Sequence, residues 1–191
     1  MKLSGVLLVG GGSTRFGSPK ALARLGDETL AGRAWRILGE ACDERLAVGK
    51  GDLALPFPVL DDGSDVQAPI VGMISGLRAA AHEVSVFLPV DCPLVTSSLL
   101  RKLGEARAVP QTGPLPGAYA KSDLPELERR LVSGELTLRG VNPTVLEVDE
   151  RLLANVNTPA ELSALEQDLA ALDEERPGLA VDEQPPVPVD S

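Results

Sequence analysis

A chain of 191 residues with 43% hydrophobic content is long enough for one domain with a sizeable core, and with aromatics at 3% that core must be aliphatic. A formal charge of −10 argues against non-specific binding to nucleic acid, whose phosphates an acidic surface repels. Two cysteines make no disulfide framework, no stretch approaches membrane-spanning length and the first apolar run is too short for a signal peptide, so a cytoplasmic protein with reduced thiols is expected.

Along the chain, short apolar runs alternate with helical patterns. Residues 4–9 read as a buried strand that runs straight into Gly10-Gly11-Gly12. Thr29 caps a helix to Gly39, with Leu30, Ala34, Ile37 and Leu38 on one face. Residues 45–48 and 58–60 are two further strands. Residues 71–81 form a helix whose face carries Ile74, Leu77 and Ala81. Residues 85–90 are the next strand, and a helix starts near Thr96. Asp123 caps 124–132, and Gly134 sits where that helix stops. Residues 144–148 form a late strand. Thr158-Pro159-Ala160-Glu161 is a capping box that launches a helix to about residue 172.

Strands alternating with helices predict an α/β domain, Rossmann-like, with a mostly parallel sheet over residues 1–172. From Asp173 the composition turns to Pro, Asp and Glu. That stretch holds six acidic residues and one Arg, about half of the net charge. It buries too little apolar surface to order itself, so 173–191 is expected to be an acidic, Pro-rich, disordered tail.

Gly10-Gly11-Gly12-Ser13-Thr14-Arg15-Phe16-Gly17-Ser18-Pro19-Lys20 is the segment richest in chemistry. Glycines let backbone N–H groups approach an anion closely, and such a loop after a strand is a phosphate cradle. Leu8, Val9, Gly10, Gly11, Gly12 and Ser13 are therefore nucleotide-binding candidates. Arg15 and Lys20 are candidate catalytic cations for several phosphates. The spacing is neither of two familiar nucleotide motifs. Ser18-Pro19 place Lys20 two positions late for a P-loop, and Arg15 stands where a dinucleotide fold needs its third glycine.

In open α/β sheets, ligands bind beyond the carboxyl ends of the strands. The glycine loop, Asp61 and Asp62, Asp91, and Asn155 and Asn157 all follow expected strands, so they converge on one rim. Asp91, at the end of an apolar strand, is placed to hold Mg2+ and act in catalysis. Gly72 either admits substrate at a helix N-terminus or serves packing. Asn155 and Asn157 either ligate a metal or hydrogen-bond substrate, or Asn157 shapes the turn. His82 and Cys92 read as surface and packing residues, and one histidine supports no hydrolytic triad.

The pattern L-x-G-G-x-S-x-R-x-G-x-x-K over Leu8 to Lys20 resembles the signature loop of the MobA-like nucleotidyltransferases, and within them the molybdenum cofactor guanylyltransferases. Asp91-Cys92-Pro93 resembles the family's metal-binding D-x-P motif, and Asn155-Val156-Asn157-Thr158-Pro159 its N-x-N-T-P motif. Ala68-Pro69-Ile70-Val71-Gly72 resembles its G-P-L-A-G segment, with Ala68 in place of the first glycine. Counting back from that segment puts the family's nucleotide-binding Asp on Asp61, beside Asp62. There its carboxylate either reads the guanine N1–H and N2–H donors or holds the ribose. Pro114 to Tyr119 resembles the segment that shapes the acceptor side. The family's Asn after the second strand has no match in Val48-Gly49-Lys50, and its later Arg has only Arg139 available.

The resemblance implies a three-layer sandwich of the nucleotide-diphospho-sugar transferase type. It implies GTP as donor, molybdopterin bearing molybdenum as acceptor and Mg2+ on Asp91, with molybdoenzymes or their chaperones as recipients. Two other readings stay open: another nucleotidyltransferase, acting with CTP or on a sugar phosphate, and a noncatalytic cofactor-binding module.

Overall fold

The computed structural model describes residues 1–10, 16, 19–50 and 53–174, with side chains to residue 169. Gly11 to Arg15, Gly17, Ser18 and the tail from 175 lie outside the described residues. The first strand, β1 (Leu3–Leu8), is wholly buried, as its apolar sequence requires. Its side chains alternate between two cores, as period-2 geometry dictates. Leu3 and Leu7 face one core, while Val6 and Leu8 face the other.

Residues Arg24–Leu25 (β2) and Glu28–Thr29 (β3) form a small antiparallel hairpin. It delivers the chain to α1 (Leu30–Ala41), where Thr29 Oγ1 accepts from Gly32 N at 3.0 Å. A cap of this kind contributes about 1 kcal/mol. The apolar stripe Leu30, Ala34, Ile37 and Leu38 is buried, as expected. Strand β4 (Glu44–Gly49) pairs parallel with β1, and β5 (Leu60–Asp61) pairs parallel with β4. Helix α2 (Pro69–Ala79) begins two residues before the predicted start, because Pro69 suits the first helical position. Its residues Ile70, Val71, Met73, Ile74 and Leu77 are all buried.

Strand β6 (Val84–Pro89) lies on the other side of β1, also parallel. Helix α3 (Ser97–Ala106) is capped by Thr96, whose Oγ1 accepts from Leu99 N. Strand β7 (Val109–Pro110) pairs with β9 (Val145–Leu146) outside the main sheet. Strand β8 (Gly117–Ala120), which the sequence did not announce, joins the main sheet antiparallel to β6. The sheet order is therefore β5-β4-β1-β6-β8. Helix α4 (Leu124–Ser133) ends at Gly134 with φ 75°, as predicted. The expected cap at its start differs: the Asp123 carboxylate accepts from Ala120 N at 2.8 Å and closes the preceding turn instead.

Helix α5 (Pro159–Glu174) begins at the predicted proline. Thr158 Oγ1 accepts from Glu161 N, and Glu161 returns its carboxylate to Asn157 N, one residue outside the usual box. The sheet lies between two apolar layers, the three-layer α/β sandwich that the sequence implied. Among the described residues no helix is long and apolar enough to cross a membrane.

Candidate functional site

A cavity of about 500 Å3 opens beyond the carboxyl ends of β1, β4 and β6. That volume lies within the range of small-molecule sites. Leu8, Val9 and Gly10 enter it from β1, Gly49 and Lys50 from β4, and Pro89 to Asp91 from β6. Ala68, Pro69 and Gly72 bring the N-terminal turn of α2 into the wall. Close backbone approach keeps the opening in this shape. A Cβ on Gly49 would lie 2.6 Å from Val9 Cγ2 and 3.1 Å from Gly10 N. A Cβ on Gly72 would lie 2.9 Å from Leu8 Cδ2, so Gly72 both packs and lines the cavity.

At the β6 end, Lys20 Nζ donates to Asp91 Oδ2 at 3.1 Å and to Asn157 Oδ1 at 3.3 Å. The Lys20 and Asp91 side chains are only 15% and 25% exposed. Asn157 reaches this point through its backbone. Val156 N donates to Asp91 O at 2.9 Å, which ties the Asn155-Val156-Asn157 segment to the end of β6. Nearby, Cys92 Sγ donates to Asn155 Oδ1 at 3.0 Å. Burial, and then the neighbouring Asp91 carboxylate, push the Cys92 thiol far above its ordinary value, so it stays protonated as a donor. Asn155 is thereby a brace for the segment. The strand that precedes the asparagines, β9, lies outside the main sheet, so it is the main-chain bond to Asp91 that places them.

The donor set at this end is one carboxylate oxygen and one amide oxygen, both already turned toward a common cation, the Lys20 ammonium. Hard oxygen donors with few protein ligands suit Mg2+, which takes one or two carboxylates plus substrate phosphates. Asp91 and Asn157 are the residues that fit such an ion. Among the described residues no three His, Cys, Asp or Glu side chains cluster as a self-sufficient metal cage.

At the β4–β5 end, Asp62 lines the cavity and Asp61 does not. Asp61 is exposed and its Oδ1 accepts from Gly63 N at 2.7 Å, closing a turn on itself. The Asp62 side chain is 8% exposed; its Oδ1 accepts from Ser64 N and lies 4.0 Å from Lys50 Nζ. Lys50 Nζ in turn donates to Val66 O at 2.7 Å. The structure thus brings together Leu8, Val9, Gly10, Lys20, Gly72, Asp91 and Asn157, and leaves Asp61 and the Cys92-bonded Asn155 outside the wall. Gly11, Gly12, Ser13 and Arg15 lie outside the described residues. Lys50 was missed as a site residue, although it follows a strand's carboxyl end as the other site residues do. Arg139 is exposed and absent from the cavity wall; its carbonyl accepts from Arg130 Nη1.

A family model described as the MobA-like NTP transferase domain matches residues 5–141. A probable molybdenum cofactor guanylyltransferase of Deinococcus radiodurans is 33% identical over 188 residues, spanning 86% of this chain and 94% of that protein. One from Chloroflexus aggregans is 30% identical over 197 residues, spanning 87% and 94%. The crystal structure of molybdopterin-guanine dinucleotide biosynthesis protein A from Archaeoglobus fulgidus matches with a TM-score of 0.73 at 22% identity, covering 88% of this chain and 99% of that one. That likeness is one of fold. With the domain match extending over most of its length, the chain belongs to the MobA-like NTP transferase family.

Proposed function

We propose that the protein transfers GMP from GTP to the terminal phosphate of molybdopterin bearing molybdenum, forming the guanine dinucleotide cofactor and releasing pyrophosphate. The names of the relatives support the donor and acceptor. The single observation that carries the chemistry is Lys20 seated on Asp91 and Asn157 at the mouth of the cavity. It gathers cation, carboxylate and amide where a triphosphate would react.

In this reading an oxygen of the acceptor phosphate forms a bond to the α-phosphorus of GTP. The bond from that phosphorus to the bridging oxygen breaks, and pyrophosphate leaves with the electron pair. The acceptor oxygen is ionised at neutral pH, so no side chain need remove a proton. The work is positioning and charge neutralisation. The Gly10 to Gly12 amides receive phosphate oxygens, and Arg15 and Lys20 neutralise the leaving pyrophosphate. Asp91 and Asn157 would hold Mg2+, which would supply further neutralisation of phosphate charge.

The base belongs at the β4–β5 end, opposite the phosphate end. There Asp62 takes the role first assigned to Asp61. Its carboxylate accepts from guanine N1–H and N2–H, and Lys50 donates to O6. We place the reaction in the cytoplasm, with molybdoenzymes or their chaperones receiving the product. Incubation with each NTP, Mg2+ and molybdenum-loaded molybdopterin tests the proposal. Pyrophosphate and a guanine dinucleotide are expected with GTP. Equal or better use of CTP would replace it with cytidylyl transfer, and binding without pyrophosphate would reduce the protein to a cofactor-binding module.

A further inference from the structure

We propose that Lys20 is the resident cation of the metal position: in the nucleotide-free protein its ammonium holds the Asp91–Asn157 oxygen pair, and a divalent ion enters productively only when a bound triphosphate draws that ammonium away. The inference rests on reading the protein as a metal-dependent NTP transferase, and it concerns this chain's own lysine.

The geometry carries it. One Nζ lies 3.1 Å from Asp91 Oδ2 and 3.3 Å from Asn157 Oδ1. A divalent ion on the same two oxygens would sit in the space of the ammonium and be repelled by it. Without substrate, one carboxylate and one amide are a poor site for Mg2+, which gives up its waters reluctantly. The ammonium fits them better, as a single charge with donor hydrogens. A triphosphate reverses the preference. It offers the lysine a denser anion and offers the metal the phosphate oxygens it lacks.

The exchange asks little of the backbone. Lys20 opens a one-turn 3-10 helix, Lys20–Leu22, in which Ala23 N donates to Lys20 O and Leu22 N to Pro19 O. Ala21 beside it is buried. The main chain is therefore anchored and the long side chain makes the move. The device also has a use in an acidic protein of net charge −10, since it denies stray divalent ions the one carboxylate on which the chemistry depends. Metal and nucleotide are then coupled reciprocally, each raising the affinity for the other.

The test is Mn2+ binding, followed by electron paramagnetic resonance or calorimetry, with the purified full chain and no acceptor. Wild type should bind Mn2+ weakly alone and at least tenfold more tightly with a non-hydrolysable GTP analogue. Lys20→Met removes the charge at similar length. It should bind Mn2+ alone at least tenfold more tightly than wild type and lose most of the coupling. Lys20→Arg keeps the charge and should behave like wild type, which separates charge from disturbance of the loop. Adding Asp91→Asn to Lys20→Met should abolish the gain and so locate it. Unchanged Mn2+ affinity in Lys20→Met, in a variant that melts like wild type, overturns the proposal. These titrations need no turnover, so the absence of guanylyl transfer would overturn the functional reading without touching this one.

Discussion

Asp62 Oδ1 lies 4.0 Å from Lys50 Nζ in the wall of the cavity, while the adjacent Asp61 turns its carboxylate outward onto Gly63 N. The pair places an acceptor beside a donor, the complement of a 6-oxopurine edge. Asp62→Ala is expected to reduce the preference for GTP over ATP by about ten- to a hundredfold. That is the order expected when a charge-assisted hydrogen bond of roughly 1.5–3 kcal/mol is lost. Lys50→Met should act in the same direction and Asp61→Ala should leave the preference intact. The ratio of kcat/KM values for the two nucleotides measures it. An equal loss for every nucleotide would move Asp62 from the base to the ribose.

Lys20→Ala is expected to lower turnover by about 10²–10³, the usual cost of removing one preorganised charge from a phosphate-type transition state. A side chain that ends on a polar, partly exposed cluster contributes little to folding, so the melting temperature should hardly move. Near wild-type kcat at saturating GTP would take Lys20 out of the reaction.

Asp91→Asn keeps the size of the side chain and removes the negative charge. Activity at a fixed Mg2+ concentration should collapse, and raising Mg2+ should recover part of it. An unaltered Mg2+ titration of activity would make Asp91 a purely structural residue.

Gly49 and Gly72 differ in what a new methyl would strike. At Gly49 it meets Val9 Cγ2 and the backbone nitrogen of Gly10, at 2.6 and 3.1 Å. At Gly72 its nearest neighbour is the end of the Leu8 side chain, at 2.9 Å, with Val48 Cγ1 next at 3.8 Å. Gly49→Ala should therefore cost roughly 1–3 kcal/mol and weaken nucleotide binding, because the start of the glycine loop must move. Gly72→Ala should cost less, since a leucine methyl can give way. Urea unfolding and a nucleotide titration of both variants check the order.

Glu126 accepts from both Arg129 and Arg130, and these guanidiniums lower its carboxyl to about 2 from 4.5. A depressed acid stabilises the fold fully above the unfolded value and ceases to do so as pH falls through the folded one. Its contribution should thus be complete near pH 6 and fade from about 4.5 toward about 2. The Glu126→Gln variant should show a flatter loss of urea midpoint across that window than wild type. Identical acid profiles would mean the Glu126 cluster with Arg129 and Arg130 is too screened by solvent to matter.

The amino-acid sequence alone determined the alternation of the longer strands with α1 to α5, the glycine run that follows β1, Asp91 beyond the end of β6 and the capped start of α5. These are local matters. A buried strand, an N-cap and a proline at the first helical position are each written within a few neighbouring residues. Tertiary structure decided the rest. Strand β8 is a four-residue buried segment, Gly117–Ala120, with no alternation to announce it, and it is held by pairing with β6. Asp61 and Asp62 are adjacent, and adjacent residues on an extended chain face opposite ways, so one of the two lines the cavity while the other faces solvent. Lys50 comes within 4.0 Å of Asp62 because β5 pairs alongside β4, a contact that depends on strand pairing and not on neighbouring residues. Lys20 and Asn157 are 137 residues apart, and they meet because Val156 bonds to the backbone of Asp91. Contacts of that span depend on how the sheet orders its strands and where a connecting segment docks, and no local pattern of residues encodes either.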